Sequence, residues 1–521
     1  MANRSPIGLV LAALVWLVLI GIAAVAYRYF VHPSVEKKLE RETSSPSPYR
    51  HTVTVALDSF SGYSILRADA LQERLKPKGI RLQFEDDGAD YGSRLRALRD
   101  GDADLAVFTI DSLVKAGAAL GSFPATIVLV IDETRGADAI VAYQQSVPSL
   151  EALNDPSAAF VLTPDSPSEF LARVAVAHFN LPDLQDDWLQ AADGAEDVYK
   201  AFRAARPDQK KAYVLWEPFV SQAMREPGAH ILLDSGKLSG YIVDVLVARR
   251  EFLRDDEPLV REVVEAYLRT LYTTDPSSGM VDLIVRDAEK TGSSISKKEA
   301  EQLVAGIAWR NTLENYAQFG LLDQDEGLPH IEDVMARIVD VLLQTGAMKE
   351  NPLEGRYNVL YYDKVLRDMK AGHFHPGRAV NILQTSEEDL EFEAVRGVES
   401  LPVLTETQWA TLIPVGEMRV KPVAFARGTA RLNVESRRNL TRLAEQLGAL
   451  PRYYLSVAGH ARAEGDPAAN LELARRRADA VGAFLGEQGL GESRWRAVAE
   501  KPSTVGGAAQ SVSFVIGQMP Y

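Results

Sequence analysis

Clusters of polar residues follow several short apolar stretches in the first half of the chain. The polar clusters are Asp58–Tyr63, Thr109–Ser112, Asp132–Arg135, Thr163–Glu169 and Trp216–Pro218. If the apolar stretches are strands of one open α/β sheet, their carboxyl ends meet at one edge, where ligands bind. Helix starts at that edge would offer free N–H groups and a positive dipole end to an anion. The clusters therefore indicate a small-ligand cleft.

Each of these residues also has an ordinary structural explanation. Ser166 and Glu169 fit a capping box, in which Glu169 could satisfy the donors that an anion would need. Trp216 is more often a core or cleft-wall aromatic than a ligand platform. Only the recurrence of a polar cluster after each successive apolar stretch favours a ligand-binding cleft.

A second motif lies near the C-terminus, where Gly459-His460 precedes a predicted helix. On that helix Asn470, Arg477 and Val481 share one face. An Asn and an Arg two turns apart beside a glycine-containing loop can bind a carboxylate-bearing ligand. Alternatively, the arginines at 475–477 form a solvated basic face above buried apolar residues, and spacing alone favours this alternative.

Several kinds of chemistry find no support in the sequence. The chain has no cysteine, which excludes disulfides, cysteine metal sites and a cysteine nucleophile. It has no phosphate-binding glycine motif, His-Glu-x-x-His or Gly-x-Ser-x-Gly. His373 and His375 stand close together, but two histidines without a third ligand are a weak metal signal. We expect a protein that is not an enzyme and that uses no cofactor or metal.

Charge is unevenly distributed over the 521 residues, which carry a formal net charge of −15. Residues 421–521 contain 14 basic and 9 acidic residues, a net of +5, whereas the remainder contains 43 and 63, a net of −20. Two bodies of opposite charge suggest two different partners. An acidic main body would repel phosphates, so nucleic acid is not an expected partner.

The N-terminal segment Ile7–Tyr27 contains no charged residue. As a helix, its 21 residues reach about 30 Å, enough to cross a bilayer. Ala24-Val25-Ala26 would also suit a cleaved secretory signal, but the length favours an uncleaved anchor. Flanking charges do not settle its orientation. Residues 1–33 are predicted to be a membrane anchor and 34–50 a polar linker.

Alternating strands and amphipathic helices begin at His51 and predict an α/β fold with a parallel sheet. Predicted strands include Thr52–Leu57, Asp104–Phe108, Ala125–Ile131, Ala159–Thr163 and Ala212–Trp216. Residues 371–414 show no clear period and are assigned to a connector. The last block, 415–521, predicts an α+β domain with a strand at Val423–Phe425 and a helix capped by Asp466 that begins at Pro467.

The region from His51 to about Met369 resembles the periplasmic solute-binding proteins of ABC importers, of the nitrate, sulfonate and taurine kind. The resemblance is carried by VTVALDSFSGY, RLRALRDGDADLAVFTIDSLV, VLWEPFVSQAM, IVDVLVARREFL and HIEDVMARIVDVLLQTG. It implies two lobes closing on a small solute: lobe 1 at about 51–140 and 245–370, and lobe 2 at about 141–244. Carried over by position, the residues lining the cleft would be Ser59, Tyr63, Thr109, Asp111, Ser166, Ser168, Trp216 and Glu217. Arg135 would pair an anionic solute.

The last block resembles the OmpA-like peptidoglycan-associating domain. Gly459, His460, Gly465, Asn470, Leu473, Arg477, Ala478 and Val481 match that family's pattern in register. The resemblance implies peptidoglycan binding through Asn470, Arg477 and the position of Arg462. That family has an Asp where this chain has Arg462 and a Ser where it has Ala474, so we expect weakened or altered wall binding.

Together the two resemblances imply a single-pass inner-membrane protein with its bulk in the periplasm. We expect it to bind a small anionic solute and to associate with the cell wall, with an ABC importer or other envelope membrane proteins as partners. The alternative is a structural strut between membrane and wall, or a component of an envelope complex, with a vestigial cleft.

Overall fold

The computed structural model describes residues 48–206, 208–322, 327–378, 401–461, 465–500 and 512–519. It separates into two compact units. The small unit comprises the described residues before Val53 together with Leu75–Arg81. In it, the backbone N–H groups of Arg50 and His51 both donate to the carbonyl oxygen of Gly79, at 2.7 and 3.0 Å. The large unit comprises Val53–Arg74 and the described residues from Leu82 onward.

A six-stranded sheet forms the centre of lobe 1. Its strands are β1 (His51–Leu57), β2 (Ile80–Asp86), β3 (Leu105–Thr109), β4 (Ala125–Thr134), β10 (Val243–Arg249) and β11 (Ile307–Trp309), in the order β11-β4-β10-β3-β1-β2. β1 and β3 are parallel, whereas β10 runs antiparallel to both β3 and β4. Every residue of β3 and β4 is buried, as expected for central strands covered by helices on both faces.

Nine helices accompany this sheet in the described part of lobe 1 and its return segment. They are α1 (Asp69–Leu75), α2 (Tyr91–Asp100), α3 (Ile110–Leu120), α7 (Arg250–Thr273), α8 (Ser278–Lys290), α9 (Lys297–Ala305), α10 (Thr312–Gln318), α11 (Ile331–Gln344) and α12 (Lys364–Ala371).

Lobe 2 contains a five-stranded sheet. Its strands are β5 (Asp138–Tyr143), β6 (Ala159–Leu162), β7 (Leu189–Ala191), β8 (Lys211–Trp216) and β9 (Ala229–Asp234), in the order β7-β6-β8-β5-β9. Its helices are α4 (Pro167–His178), α5 (Gly194–Ala204) and α6 (Phe219–Ala223). The chain passes from β4 to β5 and returns from β9 to β10, so two crossings join the lobes. The expected two-lobed α/β architecture is therefore present. The expectation of a parallel sheet is wrong, because the strands that cross between the lobes, β5 and β10, run antiparallel to their neighbours.

The C-terminal domain is a four-stranded sheet covered by two long helices. Its strands are β12 (Ile413–Glu417), β13 (Tyr454–His460), β14 (Trp495–Glu500) and β15 (Val512–Gln518), in the order β12-β15-β13-β14. The helices are α14 (Val434–Gly448) and α15 (Pro467–Glu487), preceded by the short α13 (Glu406–Thr411). Asp466 caps α15 as predicted, accepting a bond from Ala468 N at 2.9 Å.

The strand predicted at Val423–Phe425 is wrong. Phe425 makes only an isolated bridge to Leu432, and the opening strand of the domain is β12, which overlaps the end of the predicted connector. The apolar run of 423–425 is only three residues long, which is too short to distinguish a strand from an isolated bridge beside a turn.

The C-terminal domain packs against lobe 2 and the second crossing. Asn180 N donates to Glu417 O at 2.9 Å, and Arg419 N donates to His178 O at 2.7 Å. In the crossing, Ser239 N donates to Ala449 O at 2.9 Å. Backbone bonds on both sides give this junction a defined geometry.

Among the residues that the structure describes, no helix has the length and apolar character of a bilayer span. The predicted anchor, Ile7–Tyr27, lies outside those residues.

Gly459 allows β13 to approach α15 closely. A Cβ added at Gly459 would lie 2.0 Å from the carbonyl oxygen of Ala474. We expect Gly459→Ala to lower the free energy of unfolding by about 1–3 kcal/mol, because backbone would have to move. Urea unfolding of the full chain measures this. Gly448→Ala is the matched control, since a Cβ there meets nothing within 4 Å; equal loss in both variants would contradict the argument.

Candidate functional site

The strand ends of lobe 1 bring acidic side chains together. Asp244 on β10 stands opposite both Asp132 on β4 and Thr109 on β3, so the three residues form a row at the edge where β3 and β4 end. Tyr63 donates from its hydroxyl to Asp244 Oδ1 at 2.5 Å. All four side chains are at least 98% buried. Two of the predicted cleft residues, Tyr63 and Thr109, are thus brought together around a carboxylate that sequence analysis had not singled out.

Asp132 and Asp244 form a buried carboxyl pair. Among the described residues, neither oxygen of Asp132 accepts from an N–H group or an alcohol hydroxyl, and the carboxyl of Asp244 is its hydrogen-bonding neighbour. Burial, followed by the charge of Asp244, raises the pKa of Asp132 well above its usual range. Burial is also the main cause that raises the pKa of Asp244. Two buried carboxylates on directly paired strand positions cannot both ionise without a large energetic cost, so we infer that the pair retains a proton at neutral pH.

Arg94 neutralises the carboxylate that follows β1. Its guanidinium is buried and bonds to Asp58 Oδ2 at 2.9 Å and Asp87 Oδ1 at 2.5 Å. It also donates to the carbonyl oxygen of Val107 at 2.5 Å. Because these acceptors fix Arg94 within lobe 1, it is a structural cation. Ser59, the predicted site residue beside Asp58, is exposed.

The helix starts that were expected to receive an anion carry carboxylates of the protein itself. Ser166 caps α4 as predicted, accepting from Glu169 N at 3.4 Å. Glu169 Oε2 in turn accepts from Asp165 N at 2.6 Å. At the start of α3, Asp111 is 4% exposed, and burial raises its pKa to about 6. These carboxylates occupy the positive ends of both helix dipoles.

Lys115 on α3 of lobe 1 reaches the start of α4 in lobe 2. Its ammonium lies 2.8 Å from Asp165 Oδ1 and 3.2 Å from Glu169 Oε1. Arg173 Nε also contacts Glu169 Oε1, at 2.6 Å. An ion-pair network therefore bridges the lobes. Sequence analysis missed Lys115, although it lies one helical turn after Asp111 on the same face.

Arg135, the predicted partner of an anionic solute, is paired within the protein. It lies in the first crossing, and its Nη2 is 3.0 Å from Glu133 Oε2. Glu133 also bonds to the buried Arg310 and accepts from Gly240 N of the second crossing at 2.7 Å. The expected role of Arg135 does not fit this arrangement, because its guanidinium helps to hold the crossings together.

The remaining predicted residues of lobe 2 support its local structure. Ser168 is fully buried and donates to Asp138 Oδ1 at 3.0 Å. Glu217 accepts from the hydroxyl and the N–H of Ser221, at 2.9 and 3.2 Å. Trp216 is half-buried at the end of β8, opposite Asp138. Ser168 and Trp216 thus meet at Asp138, while Glu217 is engaged with α6.

Two of the predicted wall-binding residues lie on α15. Asn470 and Arg477 are both half-buried. Arg477 Nε donates to Thr429 O at 3.0 Å, and its guanidinium lies 5.0 Å from the centre of the Phe425 ring. The third, Arg462, lies outside the described residues. Nearby, His460 is bonded to Ser513 Oγ at 2.8 Å and lies 3.2 Å from Glu500 Oε2, which is consistent with a structural role.

The described residues contain no group of three or more His, Cys, Asp or Glu side chains arranged to hold a metal ion.

Comparison with known proteins identifies the family of the C-terminal domain. Residues 424–504 match the OmpA family. The peptidoglycan-associated lipoprotein of Agrobacterium fabrum (strain C58 / ATCC 33970) is 34% identical over 86 residues. That match covers 16% of this chain and 49% of the relative, so the chain spans about half the length of that protein. The expected OmpA-like domain is confirmed.

Solved structures similar to the first part of the chain include two periplasmic binding proteins. The aliphatic sulphonate-binding protein of Escherichia coli has a TM-score of 0.45 and 14% identity, over 61% of this chain and 93% of its own. The nitrate-binding protein of Synechocystis PCC 6803 has a TM-score of 0.45 and 10% identity, over 63% and 91%. The strand orders of the two sheets and the two crossings between them establish the two-lobed topology.

Proposed function

We propose that the chain is a cell-envelope protein whose two-lobed body binds a small solute and whose C-terminal domain associates with peptidoglycan. One arrangement supports this function. Two crossings connect two lobes that have polar strand ends between them, and the same chain carries a domain of the OmpA family. A hinge of this kind suits closure around a solute. Solute binding in this function is non-covalent and involves no catalytic step.

The proposal places the bulk of the protein in the periplasm and its N-terminus in the inner membrane as a single span. The uncharged segment Ile7–Tyr27 supports the anchor, and the OmpA-family match supports an envelope location. An ABC importer or another envelope membrane protein would be the partner of the solute-binding body. Extraction of membranes with carbonate tests the anchor, since an integral protein stays in the pellet.

The solute need not be anionic. Sequence resemblance implied an anion, but Arg135 is paired with Glu133, and Asp111 and Glu169 stand at the helix starts. An anionic solute at these helix starts would meet the negative charges of Asp111 and Glu169 in surroundings that are largely shielded from water. This like-charge contact is unfavourable. These carboxylates leave solute binding possible in principle but favour a solute without negative charge.

A structural strut is the second candidate function. It is favoured by the Lys115 bridge between the lobes and by the packing of the C-terminal domain on lobe 2. A thermal-shift screen of the chain with oxyanions, sulfonates, amines and amino acids distinguishes the two functions. A binder gains stability when the ligand concentration exceeds its dissociation constant. No shift with any solute, together with co-purification of membrane proteins, would favour the strut.

Arg477 is expected to contribute to retention on the cell wall. Its guanidinium can pair a peptidoglycan carboxylate, so Arg477→Ala should reduce the fraction retained on purified sacculi about tenfold, the usual cost of one charged hydrogen bond. Arg475→Ala removes the same charge from an exposed site on the same helix and serves as the control. Equal retention of Arg477→Ala and wild type would remove Arg477 from the site, and equal losses in both variants would reduce the contact to net charge.

A further inference from the structure

The ammonium of Lys115 occupies a site built from both lobes. It is supplied by α3 of lobe 1, whereas its acceptors Asp165 and Glu169 belong to the start of α4 in lobe 2. Glu169 has a side chain only 5% exposed, while that of Lys115 is 22% exposed. The strand-end region therefore already holds a primary ammonium group between the lobes, in a partly desolvated setting where charge-assisted hydrogen bonds are strong.

This site has one carboxylate more than the Lys115 and Arg173 cations can balance. Asp111 lies one turn before Lys115, and the charges of Lys115 and Glu169 both act on it. Its Oδ1 is buried and has no hydrogen-bond partner among the described residues. A buried carboxylate oxygen without a partner costs free energy, and a donor that reaches it recovers that cost. The missing group is a donor, and preferably a cationic one.

The excess of carboxylates around Lys115 also disfavours the binding of an anion. The starts of α3 and α4 carry Asp111 and Glu169. Arg94 and Arg135 are each paired with carboxylates inside lobe 1 and the first crossing. The bare helix starts and the cation that an anionic ligand needs are therefore already engaged by the protein's own side chains.

We propose that the solute is a small molecule with a protonated primary amine, which replaces the Lys115 ammonium against Asp165 and Glu169 and donates to Asp111 Oδ1. This inference rests on the proposed solute-binding function and specifies its ligand class. Lys115 acts as an internal competitor that bridges the lobes when no solute is bound. Displaced, its flexible side chain can move toward solvent.

Calorimetric titration of the full chain with ethanolamine, putrescine and lysine, and with ethanesulfonate and nitrate, tests the proposal. The amines should bind and the two anions should not. Lys115→Met keeps the apolar stem and removes the competitor, so amine affinity should rise about tenfold, the value of one charged hydrogen bond. Asp111→Asn should lower it by a similar factor. Lys200→Met, an exposed lysine of lobe 2 with a 62% exposed side chain, should leave amine affinity unchanged.

Melting temperatures and circular dichroism of each variant establish that it is folded before affinities are compared. If the anions bind and the amines do not, the ligand class is overturned while solute binding stands. If the amines bind with the same affinity in wild type, Lys115→Met and Asp111→Asn, the assigned site is overturned. If neither these probes nor the wider solute screen bind to wild type or to Lys115→Met, both the inference and the solute-binding function fail.

Discussion

Arg310→Met is expected to lower the free energy of unfolding by about 3 kcal/mol, the lower end of the cost of breaking a buried ion pair. Arg310 bonds to Glu133 and lies 3.7 Å from Glu314 Oε1, and all three side chains are at most 3% exposed. Removing the guanidinium leaves two buried carboxylates with less compensating charge. Arg135 still reaches Glu133, which keeps the cost at the lower end of that range.

The same substitution should loosen the connection between the lobes. Glu133 Oε1 accepts from the N–H of Gly240 in the second crossing, so a displaced carboxylate would release that N–H. Urea unfolding measures the global loss, and hydrogen exchange at Gly240 measures the local one. In Arg310→Met, protection at Gly240 should fall more than protection within the neighbouring strands β4 and β10.

Arg356→Met provides the matched control for Arg310→Met. Arg356 pairs with Glu354, and both side chains are at least 68% exposed, so its loss should cost less than about 1 kcal/mol. The double variant Glu133→Gln/Arg310→Met should be more stable than Arg310→Met alone, because one of the two buried carboxylates that lost the Arg310 charge is then neutral. A single variant as stable as the control would show that the Arg310 pair contributes no net stability.

Local sequence patterns predicted the elements of the body well. The strand expected at Thr52–Leu57 is His51–Leu57, and that expected at Ala212–Trp216 is Lys211–Trp216. Both are short apolar runs followed by turn residues, and their type is set within the segment itself. The start of α15 at Pro467 was also predicted correctly, because capping chemistry is local.

The chemistry of the cleft could not be predicted in the same way. Tyr63 and Asp244 are separated by 181 positions in the chain, and Lys115 and Asp165 by 50. No spacing rule relates residues that far apart. The polar clusters predicted correctly that strand ends carry the polar groups, but the sign of the charge depends on which carboxylates meet. Asp111 and Glu169 each lie at a helix start, and our proposal of a cationic solute in place of the expected anion rests on them.

Asp132→Asn is expected to stabilise the protein near neutral pH and to flatten its pH dependence. Burial and the charge of Asp244 raise the pKa of Asp132 well above the usual range. Below about pH 4 the folded and unfolded chains both keep this proton. Above that pH the unfolded chain releases the proton while the folded chain retains it, so stability falls by about 1.4 kcal/mol per pH unit until the folded group also ionises.

Asparagine at position 132 mimics the protonated acid, because its amide can donate to Asp244 without a titrating proton. At pH 7 the variant should therefore be more stable than wild type, with an upper limit of about 4 kcal/mol that corresponds to one proton retained from pH 4 to pH 7. Asp111 and Asp138, whose pKa values burial raises to about 6, add a slope of the same sign to both proteins. The difference between variant and wild type therefore reports the carboxyl pair of Asp132 and Asp244.

Urea unfolding at pH 4, 5.5 and 7 measures this difference, with Asp282→Asn as the control. Asp282 has a 61% exposed side chain, so its substitution removes a carboxylate without relieving burial. The advantage of Asp132→Asn should be small at pH 4 and grow toward pH 7, whereas Asp282→Asn should follow wild type. Parallel curves for wild type and Asp132→Asn would mean that the carboxyl pair holds no proton at neutral pH, and the charge balance at the end of β4 would then be more negative than we infer.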